Sequence, residues 1–384
     1  MSASHHIFAY SGDSHKSLCF FPKSQSAAAW RRQTGKVRMT SYIAEGALPV
    51  IREAACEDKL LSIKNFKDVI LAQTFRVSNR LSKNKPTPTM PSSPPPFDPT
   101  KVRALLFDVF GTCVDWRSTV TTALYEQAHT TLNDPTASLA TAVRLRASDL
   151  TADDWARFAQ EWRNEYKTFV RGAARALEES RSSGNAATPD FKSVDQHHLD
   201  SLLELLDKWQ LNGLWTPAQV RQLSLVWHFL TPWDDAPGGI ERLNGIELSG
   251  GGGKRLVTAT LSNGNAALLN DLTTHACLPF QHVFGAEDFR AYKPHPRVYL
   301  GAAERLGLRP EECALVAAHL GDLKAARECG LGAVYVERPR EEDWGDEEVE
   351  KAREEGWVKL WVKEGEGGFW KVAEVLEGKS GLSP

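Results

Sequence analysis

The chain has little of what would mark several common protein classes. Its 384 residues carry 46 Lys and Arg against 49 Asp and Glu, a formal net charge of -3. No broad polyanion-binding surface is implied, and nucleic acid is not an expected partner. The six cysteines (Cys19, Cys56, Cys113, Cys277, Cys313, Cys329) form no CxxC and no paired spacing. That pattern speaks against a disulfide framework or a zinc site and fits a reducing compartment. No apolar run is long enough to span a bilayer, and no charged-apolar-small pattern marks a secretory signal. The expectation is a soluble, cytoplasmic protein without a membrane partner. The glycines of Ser249-Gly250-Gly251-Gly252-Gly253 lack the spacing of a phosphate-cradling loop. That stretch and Ser182-Ser183-Gly184-Asn185 read as plain loops.

The length leaves room for two domains, or for one domain with a large insertion and a tail. Residues 1–97 behave unlike the rest. Up to Arg38 the basic residues Lys16, Lys23, Arg31, Arg32, Lys36 and Arg38 face a single acid, Asp13, among many serines. Such a composition resembles a mitochondrial transit peptide. The plainer expectation is a disordered or weakly structured extension, or an upstream start not used in the cell. Met90-Pro91-Ser92-Ser93-Pro94-Pro95-Pro96 is a proline-rich lead-in of the kind that marks a domain boundary.

From Lys101 the pattern becomes α/β. Strands are expected at 102–107, 256–261, 313–318 and 332–336, the last three each following a helical stretch. That alternation predicts a doubly wound parallel sheet, a Rossmann-like core. Between the first two strands lies a long helical region. Leu199, Leu202, Leu203, Leu206 and Trp209 keep helical spacing, and Thr216-Pro217 caps another helix carrying Val220, Leu223 and Trp227. The region reads as an inserted helical cap, 118–233. The core is then 101–117 and 234–384, ending in a helical tail.

Ligands of open parallel sheets bind at the carboxyl ends of the strands. Asp108 ends the first strand, and Gly111-Thr112 turns the chain just beyond it. A carboxylate there is a nucleophile, a metal ligand or both. Ser262-Asn263-Gly264 follows the second strand and leads into a helix from Ala266 to Leu272. Tyr292-Lys293-Pro294-His295-Pro296 places an ammonium in a proline-fixed loop. His319-Leu320-Gly321-Asp322 follows the strand 313–318, ahead of a helix expected from Leu323 to Cys329. Taken singly, Asp108 reads as a turn aspartate and Lys293 as a solvated loop lysine. Asp, Ser, Lys and Asp at successive strand ends are more specific than any one of them. Beside two carboxylates, Lys293 is the cation that keeps Asp108 ionised.

Residues 101 to about 340 resemble the haloacid dehalogenase superfamily, whose four motifs match at Asp108, Ser262, Lys293 and Asp322. They resemble more narrowly its L-2-haloacid dehalogenase branch. The finer match rests on Gly111-Thr112 after Phe110, on Leu261-Ser262-Asn263-Gly264, on Tyr292-Lys293-Pro294 with Arg297-Val298-Tyr299, and on Trp162-Arg163 with Tyr166. The resemblance implies catalysis by Asp108, Lys293 and Asp322, with Thr112, Arg163, Ser262, Asn263, Tyr299 and His319 around a small carboxylic acid substrate. It also implies a homodimer and no organic cofactor. Phosphatases of the superfamily resemble one another in placing an acid two residues after the nucleophile and another four after the last aspartate. This chain has Phe110 and Ala326 there. Magnesium demands oxygen ligands in octahedral geometry, so no metal is expected.

The implied reaction is metal-independent. Asp108 attacks C2 of a 2-haloalkanoic acid, halide leaves, and water assisted by Asp322 and Lys293 cleaves the aspartyl ester to give a 2-hydroxy acid. Ser262, Asn263 and the following helix N-terminus are expected to bind the carboxylate, and Arg163 and apolar cap residues the halide. Two alternatives stand beside this reading: a magnesium-dependent phosphatase using Asp108 and Asp322, and a binding protein that retains the fold. The chain departs from the dehalogenase pattern at Ala317 and His319, where a serine and an asparagine are common. His319 is either a hydrogen-bonding partner of the attacking water or a packed histidine. Arg163 is either a ligand or the polar edge of an amphipathic helix bearing Trp155, Trp162 and Phe169. Cys113 reads as a small buried hydrophobe.

Overall fold

The computed structural model describes residues 99–182, 191–248 and 252–380. The expectations for 1–97, 183–185 and 249–251 lie outside the described residues. Strands among the described residues are, in chain order, β1 (Ala104–Phe107), β2 (Val114–Asp115), β3 (Thr231–Pro232), β4 (Val257–Thr260), β5 (Cys313–Ala317), β6 (Gly332–Val336) and β7 (Leu360–Val362).

Five of them form one sheet in the order β4-β1-β5-β6-β7, every neighbouring pair parallel. Leu106 sits opposite Ala259 on one side and Leu315 on the other. All residues of β1, β5 and β6 are buried, because helices cover both faces and a strand wet on neither must be apolar throughout. Successive side chains still part to opposite faces. Leu105, Phe107 and Val316 pack with Ile240, Leu268 and Phe369, whereas Ala104, Leu106 and Leu315 pack with Val298, Leu320 and Leu323. The four strands read from sequence are present, 332–336 to the residue and the other three shorter by one or two residues.

β7 went unforeseen, because three edge residues, two half-buried and Val362 fully buried, are too few to carry a readable period. The C-terminal tail belongs to the core. Phe369 is fully buried, and Gly239 lets its helix come so close that a Cβ there would lie 2.5 Å from the Phe369 Cβ.

The cap comprises the helices Trp116–Leu132, Thr141–Ser148, Ala152–Ser182, Val194–Lys208 and Pro217–Ser224. It is entered and left through the antiparallel pair β2–β3, with Val114 opposite Pro232. Its first helix starts two residues before the expected boundary at 118, where the Asp115 side chain accepts from Ser118 N–H. Thr216 and Gln219 form the capping box that opens Pro217–Ser224. Trp227 is not on that helix but in the 3-10 turn Val226–His228, and Leu203, counted toward the apolar face, is 49% exposed. Trp116, Trp155, Trp162 and Trp227 are fully buried. The cap's apolar interior runs into that of the core, the rings of Phe110 and Trp227 lying 6.3 Å apart. Among the described residues no helix is long and apolar enough to cross a membrane.

Candidate active site

β1 delivers Asp108 to the carboxyl edge of the sheet, where its N–H continues the ladder by donating to Val316 O at 3.0 Å. The chain then turns at Gly111, whose φ of +86° favours glycine and whose missing Cβ leaves room for Glu341 Oε2, which would otherwise lie 2.1 Å away. Thr112, fully buried, is pinned from both sides. Its hydroxyl accepts from Ala318 N–H at 2.9 Å and donates to Asp108 Oδ2 at 2.8 Å.

Lys293 lies between the two aspartates. Its Nζ donates to Asp108 Oδ1 at 2.8 Å and to Asp322 Oδ2 at 2.5 Å, while its N–H is held by Asn263 Oδ1 at 2.7 Å. Tyr299 donates its hydroxyl to Asp322 Oδ1 at 2.6 Å, so both oxygens of Asp322 are oriented. Burial works against the charged form of Asp108, but the Lys293 ammonium and His319 outweigh it and hold the carboxyl well below the usual carboxylate range. Burial likewise opposes the charge on Lys293, and the two carboxylates overcome it, leaving the ammonium harder to deprotonate than a free lysine. The cluster thus contains an ionised, largely buried carboxylate that still faces the cavity, which is what a nucleophile requires.

On the other side of Asp108 stands His319. Its Nδ1 is 3.1 Å from Asp108 Oδ2, and its Nε2 is 3.4 Å from Glu341 Oε2, an ion-pair contact rather than a formed hydrogen bond. Burial would push the imidazole down, but Asp108 and Glu341 together push it up to about 9. Glu341 is buried and accepts from Trp116 Nε1 at 2.8 Å. No reading of the sequence singled it out. It belongs to the loop that leaves the carboxyl end of β6, where Glu337, Glu342 and Asp343 are acids too, so the strand-end rule points to the loop but not to this residue.

Arg163 comes from the cap helix Ala152–Ser182 and is 4% exposed. It is no polar edge: the guanidinium lies 4.7 Å from the Tyr166 ring, 5.5 Å from Trp116 and 5.6 Å from Phe110. Nη2 donates to Phe110 O at 3.3 Å, while Nε and Nη1 have no hydrogen-bond partner.

A cavity of about 870 Å³ opens onto these groups, lined among others by Asp108, Lys293, Asp322, His319, Asn263, Arg163, Phe110 and Tyr166. Thr112, Ser262 and Tyr299, expected around the substrate, do not line it. Thr112 and Tyr299 stand behind Asp108 and Asp322 as their donors. Ser262 is turned inward, its hydroxyl accepting from Gly264 N–H at 3.2 Å. The helix Ala266–His275 offers less to an anion than expected, because Ala266 N–H donates to Glu287 Oε2 at 2.9 Å. A carboxylate of the protein already occupies the place a ligand's would take. Asp322 is not ahead of its helix but in the first turn of Leu320–Glu328. That helix begins three residues early because Glu342 accepts from Leu320 N–H at 2.9 Å.

A family model described as haloacid dehalogenase-like hydrolase matches residues 102–330. Over 154 residues the chain is 29% identical to (S)-2-haloacid dehalogenase 1 of Pseudomonas sp. (strain CBS-3), covering 39% of this chain and 61% of that one. Over 90 residues it is 34% identical to (S)-2-haloacid dehalogenase 4A of Burkholderia cepacia, covering 21% and 36%. The chain therefore spans less than two thirds of the length of either of these relatives. The solved structure of a defluorinating L-2-haloacid dehalogenase matches with a TM-score of 0.54 and 28% identity, over 74% of this chain and 99% of that one.

Proposed function

The chain belongs to the haloacid dehalogenase-like hydrolases, whose family model matches more than half of it, and we propose that it is a metal-independent dehalogenase of small 2-haloalkanoic acids. One observation carries this reading. Beside an ionised, buried Asp108 paired with Lys293, the position two residues on is Phe110, whose ring walls the cavity. Four residues beyond Asp322, Ala326 is buried in the apolar layer. Neither side chain offers an oxygen to a magnesium ion or a proton to an oxygen leaving group, and a halide needs no proton to leave.

Asp108 Oδ2 is engaged by Thr112 and His319, and Oδ1 by Lys293 alone. Oδ1 is the freer oxygen and attacks C2, forming the new C–O bond as the carbon–halogen bond breaks. The two unpartnered nitrogens of Arg163 receive the departing halide. Asn263 and the apolar wall of Phe110 and Tyr166 orient the acid. Water, deprotonated by Asp322 as Lys293 holds the ester oxygen, then attacks the Asp108 carbonyl carbon. The ester Oδ1 leaves as the hydroxyl of a 2-hydroxy acid, and Asp108 keeps an oxygen from water.

A single turnover in heavy-oxygen water tests this route: label is expected in Asp108 and not in the first product molecule. Label in the first product with Asp108 unlabelled would mean direct attack by water, and the covalent route would fall. A panel of (S)-2-haloacids and phosphate esters, assayed with and without chelator, tests the chemistry. Halide release that survives chelation is expected. Phosphate release that needs magnesium would replace this reading with a phosphatase.

A further inference from the structure

The route above leaves one buried pair unused. His319 joins the nucleophile Asp108 to Glu341, which nothing in the reaction so far requires. We infer that His319, held by Glu341, is, beside Thr112, a donor that stabilises the oxyanion during hydrolysis of the aspartyl ester, with Glu341 as its positioning residue. This inference rests on the dehalogenase reading and concerns its second step.

The geometry separates the two oxygens of Asp108. Oδ1 meets Lys293 and becomes the ester oxygen, whereas Oδ2 meets two donors, Thr112 Oγ1 at 2.8 Å and His319 Nδ1 at 3.1 Å. When water adds to the carbonyl carbon, its O–C bond forms, one proton passes to Asp322 and the carbonyl electron pair moves onto Oδ2. Donors already in place around that oxygen stabilise the charge as it develops. Collapse restores the carbonyl, breaks the bond to Oδ1, and gives the proton to the departing hydroxyl. The second proton of the water is released as Asp108 returns to the carboxylate.

Nδ1 can donate only while it carries a proton, and the charge on the ring is held by carboxylates on both sides. Esterification removes one of them, because an aspartyl ester is neutral. Glu341 is then the anion left in contact with the imidazole, at the moment the donor is needed. The chain builds for this contact. Glu341 is buried and oriented by Trp116 Nε1. Arg340 before it adopts φ +61°, a left-handed conformation disfavoured for arginine, while its carbonyl accepts from Arg117. Gly111 leaves the space that the carboxylate fills. The other charged and titratable groups sharing the cavity with His319 are Asp108, Lys293, His295 and Asp322, with Arg163, Lys167, Arg171, Arg175 and Glu178 of the cap helix and Glu342 and Asp343 of the Glu341 loop. E341Q keeps the size of the side chain and an acceptor for Trp116 Nε1 and removes one charge.

The test follows halide release and the mass of the intact ester in single turnovers of (S)-2-chloropropionate by wild type, E341Q, H319N and H319N/E341Q, from about pH 6 to about pH 10. Ester formation is expected to change little in E341Q, while its hydrolysis slows about tenfold near pH 8 and the alkaline fall moves toward neutrality by about one pH unit or more. In H319N the alkaline fall should vanish, and H319N/E341Q should match H319N, since Glu341 acts only through the ring. Thermal denaturation of each variant checks that it is folded. Equal slowing by E341Q in both backgrounds, without a moved pH limb, would make Glu341 a structural residue and overturn the inference. So would normal ester formation with unchanged hydrolysis in E341Q. Absence of both halide and ester from the wild type would instead overturn the dehalogenase reading, and the role given to His319 with it.

Discussion

The core and the cap meet at one cavity but satisfy their polar groups differently. At the strand ends Asp108, Lys293, Asp322, Thr112 and Tyr299 are joined by hydrogen bonds of 2.5–2.8 Å. In the cap, Nε and Nη1 of Arg163, both ring nitrogens of His198 and the Nε1 atoms of Trp215 and Trp227 are buried without a partner. Burial holds His198 well below its usual range, stacked 4.5 Å from Trp227. An unpaired buried group costs free energy, and an unpaired cation costs most. The Asp108–Lys293–Asp322 cluster is therefore satisfied before a ligand arrives, although Nε2 of His319 beside it forms no hydrogen bond. Among the described residues of the cap, Arg163 is a buried cation with two unpaired nitrogens, which an anion would satisfy. The groups proposed for the chemistry sit at the carboxyl edge of the sheet, and the one proposed for recognition sits on the insertion.

The sharpest way to break this division is to remove the nucleophile. D108N should lower turnover by roughly a thousandfold or more while the protein stays folded, because an amide is a far poorer nucleophile than a carboxylate. Halide assay and thermal denaturation read the two separately, and substantial turnover in D108N would move the chemistry elsewhere.

On the cap side, R163K should reduce kcat/KM by about 10–100-fold, since a lysine keeps the charge but loses the planar fork. Heavy-oxygen label should still enter Asp108 in that variant. Unchanged kinetics would return Arg163 to a packing role and dissolve the contrast.

Tyr299 sharpens the core side. Y299F leaves one oxygen of Asp322 without its donor, and ester hydrolysis should slow by about tenfold, the value of one hydrogen bond to a charged group. Halide burst amplitude should be unchanged, and a loss of the burst itself would place Tyr299 in the first step.

The smallest effect is expected where cap and core are joined. His228, in the last turn of the cap, has Nε2 3.0 Å from Asp195 on the cap helix Val194–Lys208 and Nδ1 2.8 Å from Asp271 on the core helix Ala266–His275. Burial opposes its charge, but the two carboxylates prevail and raise its pKa. A raised folded-state pKa gives stability that is full below the unfolded value of 6.5 and is lost as pH rises through the folded value. The melting temperature of H228N should accordingly lie below that of wild type by only about 2–4 °C at mildly acid pH, with the gap closing as pH rises. A gap independent of pH would mean that His228 joins the two parts by packing alone.

Much of the core's contribution was legible. A buried parallel strand must be apolar along its length, so β1 and β5 announce themselves, and the polar residue at each carboxyl end follows directly. The cap was legible only as helices. Leu203 fits the apolar spacing of its helix yet faces solvent, because periodicity marks a face without saying what covers it. Its helix alone left Arg163 either a ligand or a polar edge, and only Phe110, Trp116 and Tyr166 closing around it exclude the edge. Ser262 matched its motif but turned inward, since a short hydroxyl beside a tight turn finds the nearest backbone N–H first.

The sequence by itself determined the alternation of strand and helix, the long insertion after the first strand, and the carboxylates and ammonium at successive strand ends. All of these are local, written in runs and turns a few residues long. Tertiary structure alone decided that Glu341 stands beside His319, that Glu287 occupies the helix N-terminus offered to a ligand, and that Arg163 enters the cavity with two nitrogens free. Each depends on the strand order β4-β1-β5-β6-β7 and on the path by which the cap returns at β3. Those are set by the packing of residues far apart in the chain, to which no local period corresponds.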